Sequence, residues 1–300
     1  MKQTHVLMVG LLIVAILLTG CSRGVNDGTI RVVTTIGMIA DIARNLAGEF
    51  VEVTALMGPG VDPHLYKATA SDVKRLDEAA LILYGGLHLE GKMADVFETL
   101  SEMKPTVAVS EAIPKEYLLG GDPHVWFDIS LWLYAVEATY EALIALVPEH
   151  TEAISQNHDR YVKTLQDLDA YVKEKAMSLD EEQRVLITAH DAFEYFGRAY
   201  GFEVKGLQGI STVSEAGTRN VQELAQYIVE HQIRAIFIES SVPQRIVHSM
   251  QQAVKARGFD VAIGGELFSD AMGDAGTHEG TFQGMVEHNI NTIVGALALK

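Results

Sequence analysis

Apolar and polar positions along this chain fall into a repeating strand–helix rhythm. Short apolar or β-branched runs at Ile30–Thr34, Val51–Leu56, Ala80–Tyr84 and Thr106–Val109 read as strands. Segments with helical spacing, among them Met38–Leu46 and Lys92–Leu100, lie between them. The scheme recurs in the second half, with strands at Arg184–Thr188, Glu203–Leu207, Ile233–Ile238 and Phe259–Ile263. Helices are expected there over Ala192–Tyr200, Arg219–His231, Pro243–Arg257 and Gln283–Ala298. This alternation predicts an α/β protein of two doubly wound lobes, each a mostly parallel sheet with helices on both faces. The halves share architecture and no close sequence repeat.

A different segment separates them. From Pro148 to Leu179 there is no glycine and no internal proline. Ile154, Tyr161 and Leu168 recur at heptad spacing, interleaved with His158, Leu165 and Val172. Such a stripe predicts one long helix, ~45 Å if unbroken, joining the lobes as a rigid rod. Two shorter helices with a kink satisfy the same pattern. The expected division is 29–147 for the first lobe, 148–179 for the connecting helix and 180–300 for the second lobe.

The N-terminus departs from the rhythm. Lys2 precedes an apolar run, Val6–Leu18, that is short for a permanent membrane span and suits a signal peptide over residues 1–20. The run ends in Leu18-Thr19-Gly20-Cys21, which resembles a bacterial lipobox, in which the cysteine is lipidated and becomes the new N-terminus. Cys21 is the only cysteine, so no disulfide can form within the chain. Residues 21–28 read as a flexible tether. The mature protein is therefore expected outside the cytoplasm, held to the membrane through lipid on Cys21, on the periplasmic side or at the cell surface.

The formal net charge of −17 repels phosphate backbones and argues against nucleic-acid binding. It favours cations, although an acidic surface that only maintains solubility accounts equally for the number. With 48% hydrophobic residues the chain can build its core by burial alone.

Four segments place a metal-ligating side chain in a loop, three of them close behind a predicted strand. They are Asp62-Pro63-His64, Asp122-Pro123-His124, Ala189-His190-Asp191 and Ser269-Asp270. In doubly wound sheets ligands bind at the carboxyl ends of strands, and such ends from two lobes converge on a cleft. Proline before His64 and His124 stiffens the turn that presents each imidazole. Three imidazoles and a carboxylate suit Zn²⁺, and also Mn²⁺ or Fe²⁺ if the carboxylate is bidentate. Any one of these histidines taken singly is more often a solvated turn residue than a ligand. Glu239, closing its strand, is a candidate to orient an imidazole N–H from behind. Asp274 rivals Asp270 by proximity.

Taken together, the lipobox, Val61-Asp62-Pro63-His64-Leu65-Tyr66, Gly86-Leu87-His88-Leu89-Glu90, Asp122-Pro123-His124-Val125-Trp126, Ala189-His190-Asp191-Ala192-Phe193 and Leu267-Phe268-Ser269-Asp270-Ala271 resemble the TroA-like metal receptors of ABC transporters, the cluster A-I solute-binding proteins. The resemblance spans the mature chain in order. It implies a metal site in the inter-lobe cleft, with His64, His124, His190 and Asp270 as ligands. It further implies one bound zinc, manganese or iron ion as cargo, and an ABC permease with its ATPase as partners, the receptor acting as a monomer. His88 falls in one of these segments and is expected behind the ligands or in a structural role. The His- and acid-rich loop common in zinc-dedicated relatives is missing, since Ser110–Gly121 contains no histidine. That weakens a strict zinc assignment, whereas His190, where manganese specialists carry glutamate, pulls the other way.

Three rival readings remain. A zinc hydrolase would need an open coordination position and has no His-Glu-x-x-His segment to suggest it. A surface adhesin would lead one to expect a repeat or low-complexity stalk, and neither is present. A receptor for chelated metal would call for Arg or Tyr contacts rather than three imidazoles.

Overall fold

In the computed structural model, residues 28–298 are described, so the leader, Cys21 and most of the tether lie outside them. From Arg31 onward the chain forms one compact unit. Its first half carries β1 (Arg31–Thr34), α1 (Gly37–Ala47), β2 (Glu52–Ala55), α2 (Ala70–Glu78), β3 (Leu81–Tyr84), α3 (Ala94–Ser101) and β4 (Thr106–Ala108). The four strands form a parallel sheet in the order β2-β1-β3-β4. β1 is therefore central, and the chain reverses direction of winding beside it, which opens a crevice at the carboxyl ends of β1 and β3. Of the helices, α2 is too polar to stand out from the sequence; a reciprocal cap between Thr69 and Asp72 starts it.

α4 (Ile129–Leu146) closes the half, capped by the Asp128 carboxylate on the backbone N–H groups of Ser130 and Leu131. By length and composition α4 could cross a membrane. Here Ile129, Leu131, Trp132, Val136 and Leu143 are buried against the rest of the protein.

The connecting element is one continuous α-helix, α5 (Thr151–Met177), 27 residues long and so ~40 Å. Ile154, Tyr161, Leu165, Leu168, Val172 and Ala176 form its buried stripe. His158 leaves the stripe and pairs instead with Glu137 on α4 at 3.1 Å. The rod is fastened to both halves. Tyr161 donates to Asp41 of α1 at 2.8 Å and Asn157 donates to the Leu46 carbonyl at 2.8 Å. Further along, Tyr171 donates to Asn291, on the C-terminal helix, at 2.9 Å.

The second half holds β5 (Val185–His190), α6 (Glu194–Tyr200), β6 (Glu203–Gln208), α7 (Thr218–Glu230), β7 (Ala235–Glu239), α8 (Arg245–Lys255), β8 (Ala262–Leu267) and α9 (Phe282–Leu297). β5 pairs with β6 and β7 with β8, both in parallel, while β5 lies alongside β7. Several strand bounds shift from expectation, and those of β5 and β8 bear on the fold most. β5 runs on to His190 because Thr188, Ala189 and His190 stay fully buried. β8 starts three residues later than predicted and includes Gly264-Gly265, which look like a terminator in sequence. A Cβ at Gly264 would lie 2.6 Å from the Phe237 ring, and one at Gly265 2.6 Å from Thr292. The glycines are there because β7 and α9 approach the strand closely.

Candidate metal centre

Each of the four candidate ligands sits at a carboxyl-terminal strand end or on a loop behind one. His64 lies in the loop that follows β2. His124 precedes the short turn Val125–Phe127 that leads into α4. His190 is the last residue of β5, and Asp270 follows β8 by three residues. All four are buried, and the structure gathers one donor atom from each within 4.8 Å of one another.

The two Asp-Pro-His segments fold alike locally. Asp62 accepts the backbone N–H of His64 at 2.8 Å, and Asp122 accepts that of His124 at 2.9 Å. An aspartate that bonds the backbone two residues on makes a tight turn, and the intervening proline keeps it stiff. Beyond that the two diverge. Asp122 also reaches Nδ1 of His124 at 2.6 Å, whereas no carboxylate holds the His64 ring. Glu239 treats His190 as Asp122 treats His124, accepting its backbone N–H at 2.9 Å and its Nδ1–H at 2.6 Å. A ring that donates Nδ1–H to a carboxylate turns the lone pair of Nε2 outward, and both Nε2 atoms face the cluster.

There the geometry concentrates negative and lone-pair density. His124 Nε2 lies 3.2 Å from His64 Nε2 and 3.3 Å from Asp270 Oδ1, and His190 Nε2 lies 3.4 Å from Asp270 Oδ2. His190 Nε2 and Asp270 Oδ1 are buried without a hydrogen-bond partner. Orphaned buried acceptors converging on one point fit a divalent cation, which would satisfy all four donors at once.

The titration behaviour follows. Burial lowers the His64 pKa to about 4, the neighbouring imidazoles adding to the effect against the opposing charge of Asp270. Burial alone would depress His190 and His124 too. For His190 the charges of Glu239 and Asp270 outweigh it and hold the pKa well above the usual value. For His124 the neighbouring carboxylates of Asp122 and Asp270 do the same and raise it. Burial would raise Asp270, but His190 and His124 together hold it well below the carboxylate range.

Other sequence candidates separate here. Glu239 lies behind the His190 ring, on its Nδ1. His88 is exposed, has a left-handed backbone (φ 65°), and no hydrogen bond or ion pair joins it to the four. The buried polar member of its segment is Glu90, which accepts from Thr35 Oγ1 at 2.6 Å and from Gly85 N at 2.8 Å. Asp274 is exposed and His278 pairs at the surface with Glu287, so Asp270 has no competitor among the described residues. Sequence reasoning missed Asp122, although an aspartate two residues before the histidine was visible. It also missed Ser241, which donates to Asp270 at 3.2 Å, and Trp126, whose Nε1–H on the Ser269 carbonyl at 3.1 Å spans the two halves.

The model of the zinc-uptake complex component A periplasmic family matches residues 32–296. The chain belongs to that family. Among its relatives it is 58% identical to the zinc-binding protein TroA of Treponema pallidum, over 93% of this chain and 92% of that protein. It is 49% identical to the manganese-binding lipoprotein MntA of Bacillus subtilis, over 97% and 98%. The solved structure of the periplasmic zinc-binding protein TroA from Treponema pallidum superposes with a TM-score of 0.89 at 59% identity, covering 90% of this chain and 99% of that one. The family accordingly has the two-lobed α/β fold with a long linking helix seen here.

Proposed function

We propose that this protein is an extracytoplasmic receptor that binds one divalent transition metal ion, zinc, manganese or iron, and delivers it to an ABC importer. The observation that carries this reading is the buried set of three imidazoles and one carboxylate, with donor atoms within 4.8 Å. In it His64, His124, His190 and Asp270 are the ligands, and Glu239 and Asp122 orient two of the rings. The relatives' names point the same way, one zinc-binding and one a manganese-binding lipoprotein. The partners are a permease and its ATPase, and Cys21 carries the lipid that keeps the receptor, a monomer, at the membrane. Residues 29–147 and 180–300 form its lobes and 148–179 its linker.

Four protein donors fill a tetrahedral shell and leave no position for an activated water, which argues against a hydrolase. The nitrogen-rich set should hold Zn²⁺ more tightly than Mn²⁺. Elemental analysis of protein purified without chelators, followed by competitive Zn²⁺/Mn²⁺ titration, tests this. One metal per chain and zinc preference are expected, with H64A and D270A each losing most of the affinity while keeping the circular dichroism spectrum. Unchanged stoichiometry and affinity in both variants would refute the ligand set, and turnover of ester, peptide or phosphate substrates would revive the enzyme reading.

A further inference from the structure

The four candidate ligands are not held alike. His124 and His190 have carboxylates on their rings, and Asp270 has Ser241. His64 is held through its backbone alone, by Asp62. The other oxygen of Asp62 accepts the hydroxyl of Thr212 at 2.5 Å. Thr212 belongs to the opposite half, in the segment 209–217 between β6 and α7. Among the described residues this is the one hydrogen bond from the His64 loop, residues 58–66, to that half, since the ring contact of His64 with His124 stays within the first half.

Segment 209–217 is built as a strap. Ser211, Val213, Ser214 and Glu215 are exposed, and Thr212 alone among them is tucked in, at 8% exposure. The Gln208 amide donates to the Ser214 carbonyl at 3.2 Å and shapes the loop from within. At its base the Gly209 carbonyl accepts the N–H of Asp191, the residue after His190, at 3.4 Å. At its tip it reaches the residue two before His64. The strap thus spans from one candidate ligand to another across the cleft. The His64 loop lies close against the far half elsewhere too, since a Cβ on Gly60 would come within 3.4 Å of the Ser240 carbonyl.

Building on the receptor reading above, we propose that Thr212 is a positioning residue for cargo retention. Its hydroxyl holds Asp62, Asp62 holds the His64 backbone, and breaking that chain frees the least restrained ligand to swing out with its loop. The strap then governs how fast the ion leaves, and much less how fast it enters, because the other three ligands remain fixed.

The test uses the full-length mature receptor loaded with Zn²⁺ and chased with excess chelator. Thr212→Val keeps the side-chain shape and removes the hydroxyl, and Thr212→Ser keeps the hydroxyl. A hydrogen bond to a charged group that is made only in the closed site is worth about tenfold in the dissociation rate. T212V should therefore release zinc about tenfold faster, with association and the metal-free melting temperature unchanged, while T212S behaves as the parent. In an Asp62→Ala background T212V should have no further effect, a result that holds even if either single variant shifts the stability. Equal release from T212V and the parent would overturn the proposal. So would equal defects in T212S and T212V, or independent effects of the D62A and T212V changes. A parent protein that does not retain zinc at all would instead sink the receptor reading, and this inference with it.

Discussion

At the scale of single residues, the site depends on groups that never touch the metal. Glu239 and Asp122 each fix a ring's orientation and tautomer, and their negative charge makes the facing Nε2 a better donor. Glu239→Gln and Asp122→Asn, which keep the shape and remove the charge, should each lower zinc affinity by about 10–100-fold. Competition against a chromogenic chelator checks this, and an affinity within twofold of the parent would deny them the role. His64 and His124 were legible as candidate ligands because an Asp-Pro-His turn is a local object, specified by neighbours in sequence. Asp122 was not legible in its second role. Asp62 stands at the same spacing and bonds the His64 backbone and Thr212 but not the His64 ring, so reaching the ring depends on a rotamer that packing selects. His88 is the converse case, a histidine in a familiar segment whose left-handed turn puts it on the surface, while Glu90 takes the buried place.

At the scale of elements, strand ends carry the site, so small errors in where a strand stops move a ligand. Gly206 on β6 shows how tight this is. A Cβ there would lie 2.4 Å from the backbone nitrogen of Asp191, directly beyond His190. Gly206→Ala should force β5 and β6 apart at that point, destabilising the fold by about 1–3 kcal/mol. It should also weaken zinc binding, although residue 206 contributes no ligand. Denaturant unfolding and a zinc titration on one preparation measure both effects, and a stable variant with normal affinity would show that the strand end yields without cost. Neither this clash nor the Gly264-Gly265 approach to Phe237 and Thr292 could be read from the sequence, where glycine signals a turn as readily as a close contact. The α5 stripe was readable because helical periodicity is local, and His158 fell out of it because Glu137 on a neighbouring helix offered a better partner.

At the scale of the whole molecule, metal capture is an exchange of protons for an ion. The carboxylates beside His124 and His190 raise their pKa above the ordinary value, whereas burial lowers that of His64 to about 4. Metal requires all three rings neutral. Affinity should therefore fall as pH drops below the raised pKa values, by about tenfold per pH unit for each proton displaced. The slope should steepen near pH 4, where His64 begins to compete. Calorimetry in buffers of different ionisation enthalpy should count protons released per zinc in a number that grows as pH falls, and a count of zero at every pH would contradict this account. The net charge of −17 acts over longer range, drawing cations toward the cleft at low ionic strength.

The sequence by itself determined the strand–helix alternation, the unbroken apolar stripe of the linking helix and the order of the four donor residues. All three are properties of neighbours along the chain, where periodicity and turn chemistry act directly. The tertiary structure alone decided that Asp122 stands behind His124, that the ring Glu239 meets is that of His190, and that Asp274 and His88 stay outside. It alone also decided that Thr212, 150 positions away in sequence, reaches Asp62. Those outcomes depend on the angles at which separately folded elements pack and on which polar groups are left buried there, and local sequence does not constrain either one.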